Sequence, residues 1–215
     1  SLTIANNTNW KDRFSLWSNL VKVSPENYKA YNNLGLYYFK QGKLELAKEN
    51  YLKAISLFSE YDKARINLGN IYSMQSEFEK ASMEFIKAIE YNSLNPEAYN
   101  NLGLVYLELG YYDQAISSFN KALELKPFTA VIYYNLARTY LKQNNLDKAI
   151  EDYKKALSLD NLFITCYIEL GICYAMQNNF MQAINEWEQA LKYDPKNKAA
   201  IDNINRAKAI LDKAK

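Results

Sequence analysis

Residues 96–129 read PEAYNNLGLVYLELGYYDQAISSFNKALELKPFT, and this stretch decides the fold because its pattern returns at a fixed spacing. The sequence aligns without a gap in five consecutive rows of 34 residues: 28–61, 62–95, 96–129, 130–163 and 164–197. A self-similar period of this length is the signature of a protein built from stacked, equivalent structural units. We number the columns of this alignment from 1 to 34, with Tyr28 in column 1 of the first row.

Several columns keep one type of side chain in all five rows. Column 7 is always leucine, column 11 is always tyrosine, and columns 20 and 27 are always alanine. Column 8 is glycine except for Ala137, and column 4 is tyrosine except for Arg65. Column 24 is always aromatic: Tyr51, Phe85, Phe119, Tyr153 and Trp187.

The spacing of these columns indicates two helices in each row. Columns 4, 7, 8 and 11 share one face of a first helix, and columns 17, 20, 24 and 27 share one face of a second. Small residues in columns 8, 20 and 27 allow the two helices to approach closely. The first helix is predicted to end at column 15, whose residues mostly tolerate a left-handed backbone. Its members are Gly42, Ser76, Gly110, Asn144 and Asn178.

This pattern resembles the tetratricopeptide repeat (TPR) over residues 28–197. The resemblance implies an all-α, right-handed superhelical solenoid of helix-turn-helix repeats, whose first helices line a concave groove. It also implies that the groove binds a peptide or a helix of a partner protein. Columns 2, 5, 6, 9, 12 and 13 would then face that groove.

The two ends of the chain are predicted to cap the repeats. Residues 1–27 are interpreted as a tail followed by a helix that starts at Asn9 and carries an apolar stripe. That stripe consists of Trp10, Phe14, Trp17 and Val21. Residues 198–215 are predicted to form a C-terminal capping helix, because a terminal unit of a solenoid needs one polar face. Its inward residues would be Ala200, Ile204, Ala207 and Leu211.

Column 6 is the strongest candidate for a binding site, because it holds Asn33, Asn67, Asn101 and Asn135 before it changes to Glu169. Asparagine both donates and accepts hydrogen bonds, so a row of its amides can hold an extended peptide by its backbone. The column resembles the asparagine ladder in the repeats of O-linked GlcNAc transferase. Alternatively, these amides bond their own helix or the neighbouring repeat, because asparagine is a poor helix-interior residue. The sequence leaves both interpretations open.

Other side chains in the same groove columns complete the candidate site. Asn70 and Arg138 are polar, whereas Leu36, Phe39 and Tyr134 are apolar or aromatic. Apolar side chains at positions expected to be exposed are typical of a surface that binds a partner. The predicted ligand is therefore a protein or a peptide.

Composition argues against several other classes of function. The 26 basic and 24 acidic residues leave a net charge of +2, which gives no basic excess for binding nucleic acid. No apolar run is long enough to insert into a membrane. Histidine is absent, and Cys166 and Cys173 are interpreted as small buried hydrophobes. We therefore expect no metal, no cofactor and no catalytic residue, and we predict that the chain is not an enzyme.

The predicted function is that of a protein–protein interaction scaffold, and two alternatives remain open. The chain is a self-associating structural module that forms a homo-oligomer, or it is a soluble accessory domain of a membrane glycosyltransferase-like protein. The second alternative comes from the N-terminal segment around Trp10, Trp17, Pro25 and residues 32–35. That segment resembles the junction before the TPR tail of membrane-embedded O-mannosyltransferase-like proteins. The location is open between the cytoplasm and the extracytoplasmic face of a membrane-anchored parent protein.

Overall fold

The computed structural model describes residues 14–213, and every regular element in that range is an α-helix. The first, α1, is helical over residues 14–23. The others are α2 (Tyr28–Lys40), α3 (Leu44–Leu57), α4 (Asp62–Met74), α5 (Phe78–Tyr91), α6 (Pro96–Glu108), α7 (Tyr112–Leu125), α8 (Ala130–Lys142), α9 (Leu146–Leu159), α10 (Ile164–Met176), α11 (Phe180–Tyr193) and α12 (Lys198–Lys213). Each row of the alignment thus forms two helices, as predicted.

The chain divides into two compact units, Ser1–Val105 and Tyr106–Lys215, and the boundary falls within α6. In the first unit, α2 packs on α3, α4 packs on α5, and α3 also contacts α4. In the second unit, α8 packs on α9 and α10 packs on α11. The helix α12 packs on α11 and covers its free face. Each unit therefore contains the same helix pair in successive copies.

The alanine columns lie at the centre of every pair, because all ten residues of columns 20 and 27 have an exposed fraction of 0%. The glycines of column 8 allow the first helix to approach the aromatic ring in column 24. A Cβ atom on Gly35 would lie 2.5 Å from the Tyr51 ring, and one on Gly171 would lie 2.3 Å from Nε1 of Trp187. The predicted close approach of the two helices is confirmed.

The first helix of each row ends where column 15 predicts. All five residues of that column have a positive φ: 71° at Gly42, 59° at Ser76, 77° at Gly110, 58° at Asn144 and 60° at Asn178. Glycine adopts this conformation without a steric cost, and asparagine tolerates it better than most residues. The same backbone turn therefore recurs between the two helices of each row.

In several rows, the glutamine in column 14 is hydrogen-bonded to a side chain of the preceding row. In column 14, Nε2 of Gln143 donates to Oδ1 of Asp113 at 3.0 Å, and Nε2 of Gln177 donates to Oδ1 of Asp147 at 2.7 Å. In the first unit, Nε2 of Gln75 donates to Oε1 of Glu45 at 3.1 Å. In each case the acceptor lies 30 residues before the donor, so the same hydrogen bond between side chains recurs in successive pairs of rows.

Two further columns are largely buried, and the sequence predicted this burial only for their cysteines. Column 3 contains Cys166 and column 10 contains Cys173, and both thiols are fully buried and free. Their interpretation as small buried hydrophobes is confirmed. Burial raises the pKa of both thiols, to about 12 for Cys173, so neither forms a reactive thiolate near neutral pH.

Arg65, which replaces tyrosine in column 4, forms a largely buried ion pair with Glu84 of the same row. Its Nη1 lies 2.7 Å from Oε2 of Glu84, and its Nε donates to the carbonyl oxygen of Ser59 at 2.9 Å. The guanidinium also lies 5.4 Å from the centre of the Tyr91 ring. The arginine thus fills an aromatic position because a carboxylate, a carbonyl and a ring face satisfy its charge and its donors.

The C-terminal helix has the predicted faces. Ala200, Ile204 and Ala207 are buried, Leu211 is half-buried, and the charged residues Lys198, Asp202, Arg206 and Lys213 are exposed. At the other end, the Phe14 ring stacks on Tyr37 with 4.6 Å between ring centres. The predicted start of α1 at Asn9 and Trp10 lies outside the described residues. Among helices of the described part, none is long and apolar enough to cross a membrane.

Candidate peptide-binding groove

A groove of about 460 Å³ opens in the first unit beside α2, α4 and the start of α6. Columns 2, 5, 6 and 9 supply most of its lining, as the predicted concave face requires. The lining residues are Lys29, Asn32, Asn33, Leu36, Tyr61, Lys63, Ile66, Asn67, Asn95 and Glu97. This volume is in the range typical of ligand sites, which is roughly 300–1,000 Å³.

Tyr61 and Asn95 belong to the connections between rows, and no column of the first helix predicted them. The Tyr61 ring packs edge-on against Tyr28 at 4.8 Å and also contacts Phe58, which fixes its position in the wall. The side-chain oxygen of Asn95 accepts from the backbone N–H groups of Glu97 and Ala98, at 3.0 and 3.3 Å. Asn95 thereby caps α6 and positions Glu97 at the groove.

The column-6 amides bond neighbouring repeats, as the structural interpretation predicted. Nδ2 of Asn67 donates to Oδ1 of Asn32 at 3.0 Å, and Nδ2 of Asn101 donates to Oδ1 of Asn70 at 2.9 Å. Oδ1 of Asn101 also accepts from Nδ2 of Asn100 at 3.2 Å. Asn33 differs, because its side chain lines the groove and makes no hydrogen bond to another described residue.

These bonds leave part of each amide available. An asparagine side chain has two N–H donors and an oxygen with two lone pairs. The bond to Asn32 occupies one N–H of Asn67 and fixes the direction of its carbonyl oxygen. A bond between repeats is therefore compatible with ligand binding, and it reduces the freedom that the side chain would lose on binding.

The charged residues that line this groove, two lysines and one glutamate, all belong to column 2. Lys29 and Lys63 are exposed in column 2 of successive rows, and Glu97 occupies the same column of the next row. Asp62, which precedes Lys63, accepts bonds from Asn92 at 2.7 Å and from Asn95 at 3.1 Å. The neighbouring carboxylate thus stabilises the loop at the groove edge, while the two ammonium groups remain exposed to solvent.

The other predicted site residues of the first unit surround this groove. Leu36 lines it, Asn70 is half-buried beside Asn101, and Phe39 packs against the core formed by Tyr51 and its neighbours. Phe39 therefore contributes more to the contact between repeats than to an open surface.

In the second unit, the asparagine of column 6 is Asn135. Its exposed fraction is 5%, so most of its side chain is packed within the repeats. Tyr134 is half-buried, and its ring lies 4.7 Å from that of Phe163, with the Arg138 guanidinium 5.8 Å from its centre. Burial raises the pKa of Glu169, which takes the place of asparagine in column 6, although Arg138 and Lys142 oppose this shift.

Half-buried carboxylates of the second unit have raised pKa values. Burial, reinforced by the neighbouring Glu151 charge, raises the pKa of Asp152 to about 6, and burial also raises that of Glu186. Perturbed acids can mark catalytic sites. Within the described range, no group of three or more histidine, cysteine, aspartate or glutamate residues could hold a metal ion.

Asp152 gives a testable pH dependence. Its pKa is higher in the folded state than in the unfolded chain, so the folded state binds the extra proton between about pH 4 and 6. Stability from this group therefore falls as the pH rises through that window. We expect Asp152→Asn to melt at a higher temperature than the wild type at pH 7.5, with a difference that shrinks toward pH 4.

Circular dichroism melting curves at pH 4, 5, 6 and 7.5 measure this effect. Glu188→Gln, which removes an exposed carboxylate from α11, is the matched control and should show no comparable gain. A destabilised Asp152→Asn variant at pH 7.5, or a gain that does not depend on pH, would contradict the assignment.

Four family models match the sequence over most of its length. Models of the tetratricopeptide repeat match residues 28–61, 94–161 and 164–197, and a TPR-repeat model matches residues 69–110. The chain belongs to the TPR family. No curated protein sequence matches it.

Solved structures of TPR proteins share the fold. YrrB, described as a TPR protein with an unusual peptide-binding site, superposes with a TM-score of 0.71 at 22% identity, covering 86% of this chain and 96% of its own. PilF of Pseudomonas aeruginosa gives 0.79 at 19% identity, covering 94% and 91%. MamA gives 0.70 at 25% identity, covering 76% and 95%. The likeness to YrrB and PilF shows the fold alone.

Family and fold together define the class of protein. The chain is an all-α TPR solenoid, and proteins of this family are typically non-catalytic scaffolds for protein interactions.

Proposed function

We propose that this chain is a scaffold that holds an extended peptide of a partner protein in the groove of its first unit and catalyses no reaction. The observation that carries the proposal is the lining of that groove. The Asn33 amide has no partner among the described residues, and the Asn67 amide is oriented by Asn32. An extended peptide has unpaired backbone N–H and C=O groups that match such amides.

The charges of the groove favour an acidic segment. Lys29 and Lys63 are exposed along one side, where a carboxylate of the peptide would meet two ammonium groups. Glu97 on the adjoining row would favour a basic or neutral residue at that end of the peptide. The proposed ligand is therefore an extended segment with acidic residues opposite Lys29 and Lys63.

Selection of peptides tests this proposal. A display library of random 12-residue peptides is selected on the wild-type chain, and the affinities of enriched peptides are measured for the wild type and for Asn33→Ala. Loss of two hydrogen bonds at about 0.7 kcal/mol each corresponds to binding that is roughly tenfold weaker. Asn33 is preferable to Asn67 or Asn101 for this test, because it makes no bond between repeats that a substitution would break.

The matched control is Asn19→Ala, which removes an exposed asparagine from α1 away from the groove lining. It should bind the selected peptides as the wild type does. Failure to enrich any acidic peptide, or equal affinity for the wild type and Asn33→Ala, would refute the groove site. Size-exclusion chromatography over a range of concentrations tests the alternative of self-association, which predicts a concentration-dependent dimer.

A further inference from the structure

A second cavity, of about 330 Å³, lies in the second unit where α12 packs beside α10 and α11. Its lining is almost entirely hydrocarbon and aromatic, with two polar side chains. The lining residues are Ile172, Ala175, Met176, Phe180, Trp187, Asn203, Arg206, Ala207 and Ile210. We refer to it as the α12 pocket.

The two polar side chains of the α12 pocket are on the same wall. Asn203 and Arg206 are three residues apart on α12, so they occupy neighbouring positions on one helix face. Neither makes a hydrogen bond or an ion pair to another described residue. Arg138, the arginine in the same column two rows earlier, differs because it lies over the Tyr134 ring and interacts with Glu169.

Charge and volume together restrict what can occupy the α12 pocket. No acidic residue is among its lining residues, so the positive charge of Arg206 is not balanced at the pocket. The cavity is near the lower limit of ligand pockets, which suits one or two large side chains rather than a long segment. Arginine binds carboxylates in preference to other acceptors, and an amide such as Asn203 can bond an adjacent peptide group.

We propose that the α12 pocket binds a partner peptide by a large apolar side chain that is directly followed by an acidic residue. The apolar side chain would contact Ile172, Phe180 and Ile210, and the carboxylate would pair with Arg206. This site is separate in the chain from the groove of the first unit, and it does not depend on the function proposed for that groove. It gives α12 a binding role in addition to covering α11.

Trp187 provides a direct probe of occupancy. Its side chain lines the α12 pocket, and its indole N–H donates to the carbonyl oxygen of Ile168 at 3.0 Å. The chain has three tryptophans, so its indole N–H resonances are few, and the Trp187→Phe variant identifies the relevant one. Phenylalanine occupies the same column at Phe85 and Phe119, which makes this substitution compatible with the fold.

The test titrates the intact chain with N-acetyl-Leu-Glu-amide and with N-acetyl-Leu-Gln-amide, while the Trp187 indole resonance is followed by NMR. We expect the glutamate probe to shift that resonance and to bind at least about threefold more tightly than the glutamine probe. Arg206→Gln should remove this preference. Lys208→Gln is the matched control, because Lys208 is an exposed cation of the same helix that does not line the α12 pocket.

Several results would overturn the proposal. Equal binding of the two probes, or a preference that survives Arg206→Gln, would exclude the ion pair. A shift caused by octanoate but not by the glutamate probe would assign the pocket to a small apolar acid. A shift that appears on raising the protein concentration alone would assign it to a second copy of the chain. No shift with either probe at their solubility limit would exclude a peptide site.

Discussion

Replacing Arg65 with tyrosine is expected to lower the free energy of unfolding by about 2–4 kcal/mol. The variant restores the residue type that column 4 has in the other rows, but it leaves the Glu84 carboxylate largely buried without its main partner. Lys87 lies 3.8 Å from Glu84 and is more exposed, so it compensates only part of this loss. Denaturation in urea, followed by circular dichroism, measures the change.

The first row provides the matched control for this prediction. There, Tyr31 in column 4 accompanies Asn50 in column 23, the columns that Arg65 and Glu84 occupy in the second row. The double variant Arg65→Tyr/Glu84→Asn copies this combination and should recover most of the lost stability, because no charge remains buried. If the single and double variants were equally unstable, the loss would come from packing of the introduced ring rather than from the unpaired carboxylate.

Replacing Gly171 with alanine is expected to destabilise the second unit by about 1–3 kcal/mol. Alanine is normally better than glycine inside a helix, by about 1 kcal/mol. Here the added Cβ would lie 2.3 Å from Nε1 of Trp187 and 2.7 Å from its Cδ1. Trp187 is buried and bonded to Ile168, so it cannot move away without losing contacts. Thermal and urea denaturation measure the outcome.

The fourth row supplies the control, since Ala137 and Tyr153 are both fully buried in the same two columns. The pair Gly171→Ala/Trp187→Tyr copies that combination. Gly171→Ala should therefore lower the free energy of unfolding by less in the Trp187→Tyr background than in the wild type. A stabilising Gly171→Ala variant, or an equal cost in the two backgrounds, would show that this helix pair is not closely packed at column 8.

The elements of the fold could be predicted because identical side chains recur in their core. The burial of columns 3 and 10 as a whole was not predicted, because their residue types change from row to row. Column 3 changes from Ala98 to Ile132 and Cys166, and column 10 changes from Ile71 to Thr139 and Cys173, although all six residues are buried. A search for identical residues does not detect a position that requires only a side chain able to fill the local space.

The candidate site was predictable in part. Column 6 supplies the groove-lining residues Asn33 and Asn67, but the same column buries Asn135. Exposure depends on the side chains of neighbouring rows, which a column does not specify. Tyr61 and Asn95 were missed because they belong to the connections between rows, where the sequence varies and no helical periodicity applies.

The glutamine bonds of column 14 have a consequence for how such a chain can change during evolution. The donor and its acceptor belong to adjacent rows, and the same geometry recurs at Gln143 and Gln177. Recombination that removes or duplicates residues 130–163 would again place a column-14 glutamine opposite a carboxylate, whereas duplication of residues 96–129 would place Leu109 there. A gene encoding this protein can therefore gain or lose its fourth row while the new junction inherits a contact that is already compatible.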